Sequence, residues 1–415
     1  MMKTILSLCA LLSIFAGSAL GAQEFGGSLS SALGWWVQGR SILPPAVLFE
    51  SGIKGTLGDK ANPAAQYLAR VRLGFDSTPG SASPTAATSM ALDEAWIKVF
   101  LGPLDLCLGN QVVAWGATDA FAPIDIVNPK DLTLPVNSRK LPTAMGRVIL
   151  NGQGFSLDLV ALPVWAASLL PAARWQTATA SFTPPAGIVV DSRNVVTDTP
   201  QAIGDNAQYG GRLAASLEIF QGWDLGLSYF HGIATTPTAS TAMQVVAPGH
   251  VIVTVTKSYD RYSLLGFDTA LALEGGLLLK GEAGYRLLDG GDWLEPAGGF
   301  STASGVGGLE YRIVGIKVIG EFALDWAKGA TGADDSFDKT LVVALSADPD
   351  SSVSLKLRGG YNFDGSGFAS PEMVYTISDG LNASLSGYAF FGGAGTRYGA
   401  WKDNDLAEFS LAYSF

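Results

Sequence analysis

Apolar and polar residues alternate along this chain with a period of two, and the alternation runs to its final residue. Over the last stretch, Leu411, Tyr413 and Phe415 stand between Ser410, Ala412 and Ser414. Period two means an extended strand with one apolar face and one small or polar face. The pattern recurs from residue 29 onward, and after the N-terminus no apolar run is long enough to cross a membrane as a helix. A strand carries unpaired backbone groups along its edges, and lipid does not tolerate an open edge. In a membrane such strands must close into a cylinder. In water they would form a sandwich.

Composition and the N-terminus choose between these. The 415 residues include 51 Gly, 10 Trp, 12 Tyr and 20 Phe, with only 15% charged. That mix suits closely approaching strands with aromatic belts. Lys3 followed by the apolar run Ile5–Phe15 and the small-x-small site Ala19-Leu20-Gly21 reads as a cleaved secretory signal, residues 1–21, leaving 22–415 as one barrel. Removing Cys9 with it leaves Cys107 alone, so no internal disulfide forms, and the thiol reads as a small packed residue. Without Lys3, 25 basic side chains face 37 acidic ones, an unfavourable balance for nucleic acid.

The alternation assigns faces. Leu29, Leu33 and Trp35 point one way and Ser30 and Gly34 the other, followed by a break at 39–45. Phe49 and Ile53 alternate with Glu50 and Lys54, and Tyr67, Val71, Leu73 and Phe75 with Arg70 and Arg72. The hairpin across Gly102-Pro103 carries Glu94, Lys98, Asp105 and Gln111 on its polar side. Later strands set Lys280, Glu282 and Arg286, then Lys317, Glu321 and Asp325, then Lys356 and Arg358 against apolar partners. In a barrel the charged set lines the lumen.

Tight turns such as Asn151-Gly152, Gln221-Gly222, Gly275-Gly276, Val314-Gly315 and Asp379-Gly380 alternate with longer polar connections. The long ones are expected at 77–90, 115–144, 163–208, 233–257, 289–303, 328–337, 364–370 and 392–404. Strict alternation predicts an all-β fold: one antiparallel up-and-down transmembrane barrel of about 18 strands, or 16 if the first two segments stand outside the wall. The aromatic-tipped final strand resembles those of bacterial outer-membrane β-barrels. That resemblance implies that Phe415 belongs to the signal read by the barrel-assembly machinery.

One stretch is less generic. Gly109-Asn110-Gln111, the pair Trp115-Gly116, and Asp125-Ile-Val-Asn128-Pro129-Lys-Asp131 resemble the signature of a porin-like outer-membrane family of unknown function, within a broader group of alginate-export and phosphate-porin-like barrels. The family usually carries a basic residue where Asn110 stands. The residues themselves predict an ordered loop without regular structure, because Asp and Asn side chains bond nearby amides and Pro129 fixes the chain. Such a loop either folds inward as a constriction presenting Trp115, Asp119, Asp125, Asn128 and Asp131, or is pinned to the rim.

Only His231 and His250 are present, and neither sits in a nucleophile, metal or phosphate motif. The expectation is therefore a non-enzymatic, cofactor-free channel in the outer membrane of a diderm bacterium. It would pass small polar or amphipathic solutes by passive diffusion, as a monomer or homotrimer. Two alternatives stay open: a surface adhesin or receptor acting through its long loops, and a transporter of hydrophobic compounds.

Overall fold

A computed structural model describes residues 20–43, 45–59, 61–76, 87–134, 136–171, 175, 187–201, 206–289, 302–327 and 335–415. The expected signal segment lies outside the described residues up to position 19.

The wall is a closed antiparallel barrel of 18 strands. Its first half comprises β1 (Leu20–Trp36), β2 (Ala46–Gly58), β3 (Pro63–Asp76), β4 (Ala87–Leu101), β5 (Leu104–Gln111), β6 (Thr143–Asn151), β7 (Phe155–Leu162), β8 (Gln208–Leu217) and β9 (Trp223–Ile233). The second half comprises β10 (Arg261–Ala272), β11 (Leu278–Leu288), β12 (Thr302–Ile313), β13 (Ile316–Ala327), β14 (Ser336–Asp350), β15 (Val353–Asn362), β16 (Ser366–Ser378), β17 (Leu381–Phe391) and β18 (Leu406–Ser414). Each strand pairs with the next, and β1 also pairs with β18, so Leu29 stands beside both Phe49 and Tyr413.

Phe415 completes the seam. Its amide donates to Gly27 O and its carbonyl accepts from Gly27 N, both at 3.0 Å. Its ring lies 6.2 Å from Phe25 and 6.4 Å from Phe49. A Cβ on Gly27 would stand 2.7 Å from that ring, so only glycine admits the aromatic side chain there.

Register shows which way the faces look. Leu108, Leu213, Leu227, Leu265, Phe322, Leu355 and Phe409 fall on the outer face and are exposed, as a lipid-facing girdle requires. The opposite face carries paired charges: Arg72–Glu50 at 2.6 Å, Lys98–Asp105 at 2.9 Å, Arg147–Asp158 at 2.8 Å, Arg212–Asp268 at 2.5 Å and Lys317–Glu310 at 2.7 Å. No helix among the described residues is long and apolar enough to cross a membrane, and the strands do the crossing.

Three connections depart from the sequence expectation. Residues 364–370 are not a long loop. The chain turns at 363–365 and β16 begins at Ser366, because Asp364 accepts from Ser366 N and Oγ at 2.9 and 2.6 Å and closes the turn. The connections at 163–208 and 233–257 are not irregular throughout. Thr238–Ala247 and His250–Ser258 pair as a hairpin, and Val189–Thr197 adds to it in parallel. Val251, Val253 and Val255 are buried on one side of this small sheet, which stands outside the wall.

Candidate functional site

The connection from β5 to β6 turns into the barrel, and its neck is held by its own polar side chains. Asn128 Oδ1 accepts from Val113 N at 2.7 Å, while its Nδ2 donates to Gln111 O and Leu141 O at 3.0 Å each. Asp125 accepts from Trp115 N at 3.2 Å and pairs with Lys140 at 2.6 Å. Both residues are buried. Asn128 and Asp125 therefore brace the backbone and do not present charge to a passing solute. Asp131 closes a local turn by accepting from Thr133 N and Oγ1 at 3.1 and 2.7 Å. Asn110, in place of the usual basic residue, donates to Leu92 O and Asp93 O at 3.1 and 2.7 Å.

Beyond the neck, the arm 113–128 lies along the inner wall. Val113, Trp115, Ile124 and Val127 form one buried cluster with Met145, Val160, Leu162, Phe230, Tyr262 and Leu264, which point inward from β6, β7, β9 and β10. Each fully buried side chain contributes roughly 1.5–3 kcal/mol, enough to hold a single position. The Trp115 indole donates to Asp158 at 3.0 Å. Gly116 has φ +106°, and a Cβ there would stand 2.3 Å from Glu282 Oε1. This explains the Trp-Gly pair: tryptophan anchors the arm, and glycine lets the next amides reach a carboxylate.

Those amides are spent in sequence. Ala117 N and Thr118 N donate to Glu282 at 2.6 and 2.7 Å. Asp119 N, Ala120 N and Phe121 N donate to Glu321 at 2.6, 2.8 and 3.2 Å. Successive backbone N–H groups form an anion-binding concavity, and two wall carboxylates fill it. At the tip, Lys280 Nζ contacts Asp119 at 2.6 Å and Glu310 at 3.1 Å.

A second branch of the connection, Lys130–Leu134 with Asn137–Lys140, reaches elsewhere. Arg139 pairs with Asp93 of β4 at 2.9 Å, and Arg358 of β15 donates to Val136 O. The connection thus touches β4, β7, β11, β13 and β15, spanning the lumen. Burial pushes the Lys130 ammonium below the ordinary lysine pKa; Asp125 opposes this and the Lys140 and Arg286 cations add to it.

Register places Arg70, Arg72, Lys98, Asp105, Gln111, Lys280, Glu282, Arg286, Lys317, Glu321, Lys356 and Arg358 on the inner face. Gln111 is spent on Cys107 O and Met145 O at 3.5 and 3.1 Å. Glu94 sits where β4 slips by one residue against β3, and it accepts from the Trp96 indole at 3.3 Å. That slip turns Asp93 inward, which strict alternation from Glu94 could not show. Alternation also passed over Asp158 and Lys130. Continuous apolar character through Leu159–Leu162, where one face should be polar, was the available sign of an inner core.

The histidines lie apart from this loop. His231 Nδ1 is 2.9 Å from Ser263 Oγ and 4.0 Å from Asp289. Both partners meet the same ring nitrogen, whereas a catalytic triad divides base and orienting bond between the two. His250 pairs with Asp191 at 2.8 Å on the outer sheet.

Residues 57–290, more than half the chain, match a family model described as a protein of unknown function, DUF1302. The chain belongs to the DUF1302 family. A comparison with curated proteins finds no match. Among solved structures, DUF1302 membership is accompanied by likeness to outer-membrane proteins. OpdK of Pseudomonas aeruginosa, in a structure with vanillate, is 11% identical with a TM-score of 0.58, covering 96% of this chain and 100% of that one. OccK8 (OprE) of the same organism is 11% identical at 0.54, covering 95% and 98%. OccAB4 of Acinetobacter baumannii is 10% identical at 0.53, covering 95% and 98%. At these identities the likeness is one of fold. This DUF1302 protein has the fold of an outer-membrane β-barrel porin.

Proposed function

We propose that the protein is a diffusion channel for small polar or amphipathic solutes, entered past the inward arm. The observation that carries this is the arm itself, bonded across the lumen to Glu282, Glu321 and Lys280 on the far wall. Paired inner charges set a transverse field with weak net selectivity, and the arm sets the size cutoff. In this reading Arg70, Arg72, Lys98 and Lys356 line the passage, and Asp119, the exposed acidic residue at the tip, faces the solute. The apolar patch inside the wall is covered by the arm's own side chains, which argues against a continuous greasy path. OpdK carries vanillate in its structure, so vanillate is a sensible first solute. Cleavage after Gly21, delivery by the assembly machinery and a monomeric or trimeric state belong to the same proposal.

Folded protein in planar bilayers tests it. Discrete conductance steps are expected, and their absence from protein shown to be folded sinks the reading.

A second reading has its own observation. The small sheet outside the wall exposes Val195, Val196, Met243 and Val245. An exposed apolar sheet face beyond the membrane suits a surface receptor. Deleting 238–258 should abolish binding to cells or partner surfaces while leaving conductance intact.

A further inference from the structure

Between the arm and the upper wall lies a cavity of about 490 Å³, lined by Phe121, Pro123, Ile126 and Lys130 of the inward connection and by strands β11 to β14. Its size is that of a small-molecule site. It holds charges that the ion pairs of the inner wall do not use. Arg286 stacks over the Tyr262 ring at 4.4 Å, and its Nε is buried without a hydrogen-bond partner. Among the described residues no carboxylate lies within ion-pair distance of Arg286 or Lys130, and none of the basic side chains pairs with Asp325. Of the nearby carboxylates, Asp125 pairs with Lys140 and Asp338 with Arg397, while Glu282 gives Oε1 to the arm amides and keeps a buried Oε2 with no hydrogen-bond partner.

Arg286 and Lys130, each without an ion-pair partner among the described residues, therefore share this space with the unpaired Asp325. Burying a charge unpaired is costly, and a guest carrying the opposite charges would remove that cost at both ends. Apolar Phe121, Pro123, Ile126, Val306 and Ala323 line the same space. The register sets the spacing. Gly284 stands beside Ser304 and Ser304 beside Asp325, so Asp325 is two strands from β11, on the order of 10 Å. Arg286 lies two residues further along β11.

We infer that this cavity is a binding site for a small ampholyte with separated charges: an anionic group held by Arg286 and Lys130, a cationic group held by Asp325, and an apolar middle. A chain of several carbons between the charges fits; a free α-amino acid, with its charges adjacent, does not. The inference rests on the channel reading and adds to it the solute that is recognised before the arm.

Three probes of one skeleton test it: 6-aminohexanoate, hexanoate and hexylamine. Binding to folded, purified protein is read by titration calorimetry. The ampholyte is expected to bind at least about tenfold more tightly than either single-charge probe. Arg286→Gln and Asp325→Asn should each weaken it by a similar factor, and Asp325→Asn should leave hexanoate unchanged. Equal binding of hexanoate and 6-aminohexanoate, or affinities indifferent to both substitutions, overturns the proposal. Conductance measured on the same samples separates the two readings. Steps without ampholyte binding remove the site and spare the channel. Binding without steps removes the channel.

Discussion

Lys280 Nζ lies 2.6 Å from Asp119 Oδ2, although 161 residues separate them. The contact joins the tip of the inward arm to β11, and the neighbouring β12 presents Glu310 to the same ammonium at 3.1 Å. One cation therefore holds two acidic groups where the arm meets the wall.

Removing that cation should change which ions pass. Lys280→Gln leaves Asp119 uncompensated and Glu310 with Lys317 alone, and cation selectivity should rise; Asp119→Asn should move it the other way. A partly exposed pair is worth about 0.2–1 kcal/mol, which corresponds to roughly a threefold change in permeability ratio. Reversal potentials across a salt gradient measure it, and identical values in all three proteins would remove the tip from the passage.

Glu321 holds the end of the arm through three backbone amides and is itself almost fully buried. Hydrogen bonds to a charged group are worth about 1.5–3 kcal/mol each, less what water returns to the freed amides. Glu321→Ala should release the tip at a cost on the order of 2–4 kcal/mol. Single-channel conductance should increase and become noisier. Unchanged conductance would show that the arm does not limit the passage.

Gly116→Ala attacks the neighbouring contact from the other side. Its φ of +106° is strained for any side chain, and the added carbon would meet Glu282 at 2.3 Å. A loss on the order of 1–3 kcal/mol is expected, read as a lower unfolding temperature. Gly116→Ala and Glu282→Ala should be far from additive, because both break the same bonds.

The seam makes a prediction about assembly. Deleting Phe415 removes two backbone hydrogen bonds to Gly27, about 1–2 kcal/mol together, and uncovers Phe25 and Phe49. The folded fraction, seen as the heat-modifiable band on a gel, should fall several-fold, with Phe415→Tyr close to wild type.

Asp364 supplies the acid limit. Burial raises its carboxyl pKa, but bonds from Arg397 N and from Ser366 Oγ and N outweigh this and hold it below the ordinary aspartate value. A carboxyl depressed in the folded state adds stability above its unfolded pKa of about 3.9, and that contribution is lost as pH falls through the folded value. Protease cutting within 392–405 should therefore rise only below about pH 4, and Asp364→Asn should abolish the step.

The wall was legible because its period and its chemistry agree. Lys280, Glu282 and Arg286 alternate with Leu279, Ala283 and Tyr285, and no other pairing of those residues puts charge on one side. Asp93 was not legible, since the one-residue slip between β3 and β4 shifts the phase of the pleat without any mark such as Gly or Pro. The arm was half legible. Asp125, Asn128 and Pro129 announced an ordered loop, but its direction depended on Glu282 and Glu321, far along the chain. The outer hairpin was visible in the alternating Val251, Val253 and Val255, and its polar flanks suggested a loop instead.

Where Phe415 meets Gly27, the cylinder is sealed by segments almost a full chain length apart. Trp115 and Ile124 are buried against β6, β7, β9 and β10, so the arm ties the inside of the wall together as Phe415 ties its edge, and loosening either would loosen both.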